Sequence, residues 1–415
     1  MAGGRRAEID GRRMRTIFDA INDFGRVPEK PGWNRPGLST EDMAVRRWFA
    51  GRMEAEGLRV SMDGAANLSG RLGPEGTPCV MLGSHLDTVP SGGAFDGALG
   101  VAVALECALA MRDAEVPLVH PVEVMATSEE EGRFGGMLGS QALAGLATQE
   151  WLETAADADG VRLADALASH NLDPAGVVAS TRVAGSVKAF LELHVEQGPV
   201  LERASIPVGI ADRVSGVVHL GVTLRGVANH SGTTPMDMRA DAFAGLAEIA
   251  TGIPGLISAQ GTEQSRITIG KVELSPNFPH TIPGEALFSI ILRDAESVAM
   301  NRLCGGLRDL IAAVSERHGL THEILERSRI EPVMLDAGLA RLLRKEAEAL
   351  ALPLMVMPSG AGHDAQTMQA LAPAGLIFVP SRGGVSHAPD EWTDWDAAVA
   401  GARLMLAAAL RLACE

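Results

Sequence analysis

The stretch CVMLGSHLDTVPSGGAFDGALGVAVALECALAM, from Cys79 to Met111, decides the fold class. It opens on a short apolar run of strand length and ends that run on polar side chains. A loop rich in Gly, Ser, Pro and Asp follows, and then an apolar run of helix length that carries one acid, Glu106. Strand, polar loop, helix is the repeating unit of an α/β sheet with helices on both faces. In such sheets ligands bind beyond the carboxyl ends of the strands, where the loops collect.

The same texture extends outward from this stretch. Apolar residues at helical spacing run from about Ala7 to Phe24 and from Thr40 to Glu56, and LRVSM and NLSGRL read as short strands. PVEVMAT and SVKAFLELHV repeat the pattern of an apolar run ending in a polar motif. From about Arg213 the texture changes. VVHLGVTLRGVA alternates as a strand, a helix is predicted near Met238 to Ala250, and the strands SRITIGKVEL and EALFSIILRD follow. A helix from Ser297 and the strand THEILERS complete a β-α-β-β-α-β order, that of a ferredoxin-like sandwich. After Pro332 the first texture returns with a helix, the run LIFVP and a closing helix from Asp394. Residues 1–212 and 332–415 are therefore expected to form one domain, with 213–331 inserted into it.

At 415 residues the chain exceeds one ordinary core, in keeping with two domains. A formal charge of −16 argues against nucleic acid, since no basic stripe is available to neutralise phosphates. An anionic small molecule stays admissible, because a local cluster of cations outweighs the global field. Cys79, Cys107, Cys304 and Cys414 are widely spaced without a CxxC, which disfavours a zinc ribbon or a disulfide framework and suits a reducing compartment. Tyrosine is absent, so no phenol serves as acid or oxyanion donor. The charged N-terminus lacks the apolar run of a signal peptide, and no membrane span is predicted; a soluble, cytoplasmic protein is expected.

Chemistry-bearing residues stand where the apolar runs end. In GSHLDT, His85 and Asp87 are two apart and share a side of the strand end, so Asp87 can accept the second ring N–H of His85 and orient it for a metal. A solvated strand end is the bland alternative. Asp96 in GGAFDG precedes a helix and reads most simply as its N-cap, although a carboxylate has two oxygens with which to bridge two metals. Glu129, Glu130 and Glu131 are consecutive, and repel one another unless protonated or compensated by cations. They are either an acidic surface turn or a ligand beside a general base. His194 in LHVEQGP and His387 in GVSHAP each follow a strand, and singly each would be an ordinary structural histidine. Repetition of such motifs at successive strand ends argues for convergence. Imidazoles and carboxylates around one Asp suit Zn²⁺ or Mn²⁺.

With these motifs together, GSHLDTVPSGGAFDGALGV, EEEGRFGGMLGS, ELHVEQGPVLE, GVANHSGTTPMDMRADA, SGAGHDAQ and VSHAPDEW resemble the amidase/hydantoinase/carbamoylase family. This groups N-carbamoyl-L-amino acid hydrolases, β-ureidopropionases and allantoate amidohydrolases within the clan of di-metal aminoacylases and carboxypeptidases. The resemblance spans roughly residue 10 to the C-terminus. It implies an α/β, mixed-sheet, di-metal peptidase-like catalytic domain with an inserted ferredoxin-like dimerisation and lid domain. It implies His85, Asp96, Glu131, His194 and His387 as ligands of two divalent ions per subunit, Zn²⁺ or Mn²⁺ with Co²⁺ or Ni²⁺ as further candidates. Asp96 would bridge, Asp87 would support His85, and Glu130 would be the general base. Alignment on Arg133-Phe134 instead would move base and ligand to Glu129 and Glu130. Gln197 is expected near a ureido group, His230 as an oxyanion donor and Arg293 as the partner of a substrate carboxylate. His280 stands where many members have Asn, which alters the donor pattern of the pocket. His363 and Asp364 are expected near the site without an assigned step.

The activity the resemblance implies is metal-dependent hydrolysis of the carbamoyl group of an N-carbamoyl-L-amino acid. Allantoate or a related ureido acid is the alternative, an N-acyl aminoacylase or peptidase comes third, and a non-catalytic binding protein comes last because every expected ligand is present. The implied partners are a small ureido acid and a second copy of the chain, with neither nucleic acid nor membrane.

Overall fold

The computed structural model describes residues 6–26 and 31–415. The chain divides into two compact units. The first comprises the residues through Asp212 with Leu335–Met357 and His363–Glu415, and the second Arg213–Met334 with Pro358–Gly362. The five residues Pro358–Gly362 thus fall in the second unit although they lie beyond its main segment.

In the first unit a mixed sheet is built around four neighbouring parallel strands, Val122–Thr127, Cys79–His85, Val187–Val195 and Ala374–Val379. Antiparallel strands flank them, Leu68–Leu72 and Arg59–Met62 on one side and Val208–Val214 on the other. Because the central strands are parallel, all their carboxyl ends lie on one edge. His85 pairs with Thr127, and His194 with Phe378. Leu82 pairs with Leu191, so His85 and His194 stand equally far beyond that rung.

Burial on both faces explains why these strands read as unbroken apolar runs. Helix Ala98–Asp113 is buried almost throughout and packs on the first three central strands. Each fully buried aliphatic side chain here, such as Leu99 or Leu105, contributes roughly 1.5–3 kcal/mol. Glu106, the one acid of that run, is matched by Arg13, whose Nε donates to it at 2.6 Å. Arg13 lies on helix Gly11–Ile21, which begins at Gly11 because the Asp10 carboxylate caps the N–H groups of Arg12 and Arg13.

Two helices, Ala242–Gln260 and Trp395–Cys414, are long and apolar enough to cross a membrane by length and composition. Each is a layer of its own unit. Trp395–Cys414 packs on three of the central strands, and Ala242–Gln260 on the sheet of the second unit. That sheet pairs Thr321–Ile330, Gly216–Arg225, Glu285–Asp294 and Arg266–Ser275 in this order, all antiparallel, the arrangement of a ferredoxin-like sandwich. The helix expected near Met238 starts at Ala242, because the Asp241 side chain accepts the N–H groups of Phe243 and Ala244. Four short helices between Leu138 and Ala179, without a signature in the sequence, close a satellite core around Leu138, Leu152, Leu163 and Val177. Each has six or seven residues, too few for a helical period to emerge.

One buried ion pair fixes the end of the Val122–Thr127 strand. Arg46, fully buried, pairs with Asp42 at 2.9 Å and donates to the carbonyls of Ala66, Ala126 and Thr127. Arg46→Met would leave the Asp42 charge and these carbonyls without their donor. A loss of about 3–5 kcal/mol is expected, read as a lower urea midpoint; an unchanged midpoint would show the network to be dispensable.

Candidate metal centre

At the edge where the central strands end, Asp96 stands among three histidines. Its Oδ1 is 3.2 Å from His85 Nε2 and 3.0 Å from His194 Nε2, and its Oδ2 is 3.4 Å from His387 Nε2. His387 Nε2 also lies 3.3 Å from Glu131 Oε2. Two groups capable of holding a metal ion therefore share Asp96: His85, Asp96 and His194, and Asp96, Glu131 and His387. The carboxylate offers a different oxygen to each.

The tautomers follow from the hydrogen bonds. His85 Nδ1 meets the Asp87 carbonyl at 3.0 Å, and His194 Nδ1 meets the Val195 carbonyl at 2.9 Å. A carbonyl only accepts, so both Nδ1 atoms carry protons, and in the neutral rings both Nε2 atoms present lone pairs. The His85 lone pair faces a carboxylate oxygen, which repels it; the His194 lone pair faces the same oxygen while accepting the Gly97 N–H at 3.3 Å. His85 Nε2 is buried and has no hydrogen-bond partner. A proton or a metal ion between the groups turns the repulsion into attraction, and imidazole with carboxylate is a donor set suited to Zn²⁺ and its neighbours.

Local backbone serves this arrangement. Asp96 does not cap the helix that follows; Gly97 occupies the N-cap position, with φ 62° and no side-chain cap. A Cβ on Gly97 would lie 2.5 Å from the His85 ring, so glycine is required. Glu129, Gln197 and His387 all have positive φ, a conformation costing non-glycine residues of order 1–3 kcal/mol and found where a site over-determines the backbone.

The pairing of Asp87 with His85 differs from the expected one. The ring N–H goes to the Asp87 backbone carbonyl, and the carboxylate lies 3.8 Å from Nδ1. Asp87 instead accepts the N–H groups of Glu130 and Glu131 at 3.3 and 3.1 Å, fixing the acidic loop. In that loop Glu129 turns to the Phe134 N–H at 2.7 Å, Glu130 Oε2 lies 3.7 Å from His85 Nε2, and Glu131 reaches His387. Glu130 thus lies nearest His85 and Glu131 nearest His387, while Glu129 engages the Phe134 amide.

Burial penalises the charges gathered here. It raises Glu129 to about 8 and Glu131 to about 8, the latter with help from Asp96, and raises Glu130 well above the ordinary carboxylate range. Burial alone would lower His85, but Glu130, Asp96 and Asp87 together hold it well above its usual value. The hydrogen bond to Asp96 raises His387 to about 9 against burial.

Of the other predicted residues, Gln197, His363 and Asp364 stand in the first unit. Gln197 Nε2 donates to Asp96 Oδ2 at 2.7 Å and lies 3.2 Å from His387 Nε2. His363 packs edge-on against His194 with ring centroids 4.5 Å apart, and Asp364 accepts the Thr127 hydroxyl. His230, His280 and Arg293 belong to the second unit. There Asn229–His230 pairs with Thr281–Ile282, and the His280 carbonyl accepts the Ser231 N–H. His230 Nδ1 accepts the Gly232 N–H at 3.0 Å, which places the ring proton on Nε2. Arg293 Nη1 donates to the Gly360 carbonyl at 2.8 Å. Two buried acids escaped the sequence reading. Glu192, two residues before His194 and so on the same strand face, accepts from Ser84 and Ala365; Glu391 accepts from Phe95, Asp96 and Ser386.

The model of Peptidase family M20/M25/M40 matches residues 81–411. The chain belongs to this family. The family is metal-dependent, and the described residues include three candidate donor groups, two around Asp96 and a third made of Glu192, His194 and His363. An N-carbamoyl-L-amino-acid amidohydrolase of Paenarthrobacter aurescens is 36% identical over 399 residues, covering 94% of this chain and 96% of that protein. An allantoate amidohydrolase of Bacillus subtilis (strain 168) is 32% identical, covering 91% and 93%. The crystal structure of an amidase of the hydantoinase/carbamoylase family from Burkholderia multivorans superposes with a TM-score of 0.90 at 30% identity, covering 99% of this chain and 100% of that one. The chain thus lies in the hydantoinase/carbamoylase branch of its family.

Metal uptake should release protons. With Glu131 near 8 and His387 near 9, both hold protons at pH 7 in the metal-free chain, and both must lose them to ligate. Calorimetric titration with Zn²⁺ in two buffers of different ionisation enthalpy should give different heats, and affinity should rise with pH between about 7 and 9. Equal heats and a flat profile would contradict these protonation states.

Proposed function

We propose that the chain hydrolyses the carbamoyl group of an N-carbamoyl-L-amino acid, with the net change R–NH–CO–NH₂ + H₂O → R–NH₂ + CO₂ + NH₃. The observation that supports this most is the division of the two Asp96 oxygens between two histidine-containing groups, together with the similarity to N-carbamoyl-L-amino-acid amidohydrolases. We assign His85, His194 and Asp96 to one divalent ion and Asp96, Glu131 and His387 to a second. Ions bound there would polarise the ureido carbonyl and lower the proton affinity of water.

The remaining steps fall to side chains. Glu130, half-buried beside His85 and not engaged by a metal group, takes the proton of the attacking water and returns it to the departing nitrogen. Its raised affinity for protons suits both halves of that task. Gln197 orients the ureido group, using an amide whose Oε1 is buried without a partner. His230 offers its Nε2–H to the developing oxyanion, and Arg293 pairs with the substrate carboxylate. We further propose that the second unit mediates a homodimer and that the enzyme is soluble and cytoplasmic.

Allantoate is the second reading, favoured by a relative of that activity only four percentage points lower in identity. Ammonia release from a panel of ureido acids separates the two: turnover of N-carbamoyl amino acids supports the first, turnover of allantoate alone the second. Glu130→Gln should lower kcat by about 10²–10⁴ with metal content unchanged. Loss of metal from that variant would instead make Glu130 a ligand.

A further inference from the structure

Glu391 is 2% exposed and joins two loops far apart in sequence. Its Oε1 accepts the N–H groups of Phe95 and of Asp96, both at 2.9 Å. Its Oε2 accepts the hydroxyl of Ser386, the residue before His387, at 2.6 Å. A Cβ on Gly93 would fall 2.2 Å from Oε1, so only glycine admits the carboxylate into the Asp96 loop. One carboxylate thereby accounts for a feature of each motif, the glycine of GGAFD and the glutamate of SHAPDE.

The Ser386 hydroxyl has one proton and two carboxylates within reach. It lies 2.6 Å from Glu391 Oε2 and 3.1 Å from Asp96 Oδ2. The shorter contact takes the proton. Asp96 Oδ2 is therefore left to Gln197 Nε2 and to His387 Nε2, 2.7 and 3.4 Å away. Without the Glu391 carboxylate the hydroxyl would turn to Asp96 Oδ2 and compete there with any cation, while two buried N–H groups of the Asp96 loop would lose their acceptor.

We propose that Glu391 is a positioning residue: it clasps the Asp96 loop to the His387 loop and draws the Ser386 proton away from Asp96, and so sets the affinity of the Asp96–Glu131–His387 group for a divalent cation. The proposal rests on the reading of Asp96 as shared by two ions. It assigns no direct contact with substrate or metal to Glu391.

The test is Zn²⁺ titration of the metal-stripped full-length chain against a chromophoric chelator, with circular dichroism as the control for folding. The wild type is expected to take two equivalents. Glu391→Gln keeps one carbonyl oxygen for Phe95 and Asp96, but its amide donates to Ser386 and frees the hydroxyl proton for Asp96. It should weaken one equivalent about 10–100-fold and leave the other near the wild-type value. Adding Ser386→Ala to Glu391→Gln should restore much of that loss, a rescue that a merely structural glutamate would not allow. Glu391→Ala should weaken the same equivalent further; if it fails to fold, Glu391→Gln and the double variant decide. Unchanged affinity for both equivalents in folded Glu391→Gln, or equal weakening of both, overturns the proposal alone. A wild-type chain that binds no second equivalent removes the reading of Asp96, and the proposal with it.

Discussion

Two imidazole nitrogens whose rings already donate through their other nitrogen face a single carboxylate oxygen, deep in the protein. That contact is the constraint on which the rest of the structure depends. Were both rings neutral, lone pair would stand against lone pair at about 3 Å, costly in a medium of low effective dielectric, and a buried polar atom would lack a partner, costly as well. The fold nonetheless holds His85, His194 and Asp96 in this arrangement. Positive charge between the groups resolves both costs at once. The acids around them make the same demand, since Glu129, Glu130 and Glu131 are all driven toward their protonated forms by burial.

The scaffold explains how so unfavourable a set is kept together. Parallel strands bring His85 and His194 to one edge in matching register, and packing of the Ala98–Asp113 helix beneath them leaves the strands no freedom to slide. The loops are then fixed from behind by groups that touch no histidine lone pair: Asp87 on the amides of the acidic loop, Arg46 on the strand that leads into it, and Glu391 on the amides before and at Asp96. Left-handed backbone at Glu129, Gln197 and His387 is tolerated because these contacts over-determine it.

Much of this was legible in the sequence, because each histidine follows an apolar run whose length and burial mark a strand. The strands of the second unit were legible too, since two-residue alternation in EALFSIILRD and VVHLGVTLR reports a sheet with one covered face. Less legible was anything decided by partners distant in the chain. Asp96 reads as a helix cap until His85 and His194 are seen to claim its side chain, leaving the cap to Gly97. Three consecutive glutamates have no inherent register; Asp87, more than forty residues earlier, sets it by holding two of their amides. Glu391 carries little local signal, because apart from the Ser386 hydroxyl its partners are amides nearly three hundred residues away. The short helices between Leu138 and Ala179 gave none either, being held by a small core of their own rather than by an amphipathic period.

The most direct measurement of the central claim is an anomalous difference map from crystals of the full-length chain grown with Zn²⁺ and recorded at the zinc edge. Two peaks about 3.5–4 Å apart are expected, one contacting His85, His194 and Asp96 and the other contacting Asp96, Glu131 and His387. A map from fully loaded crystals with no density beside Asp96, or with a single peak that leaves one Asp96 oxygen without a metal, would contradict a carboxylate shared between two ions.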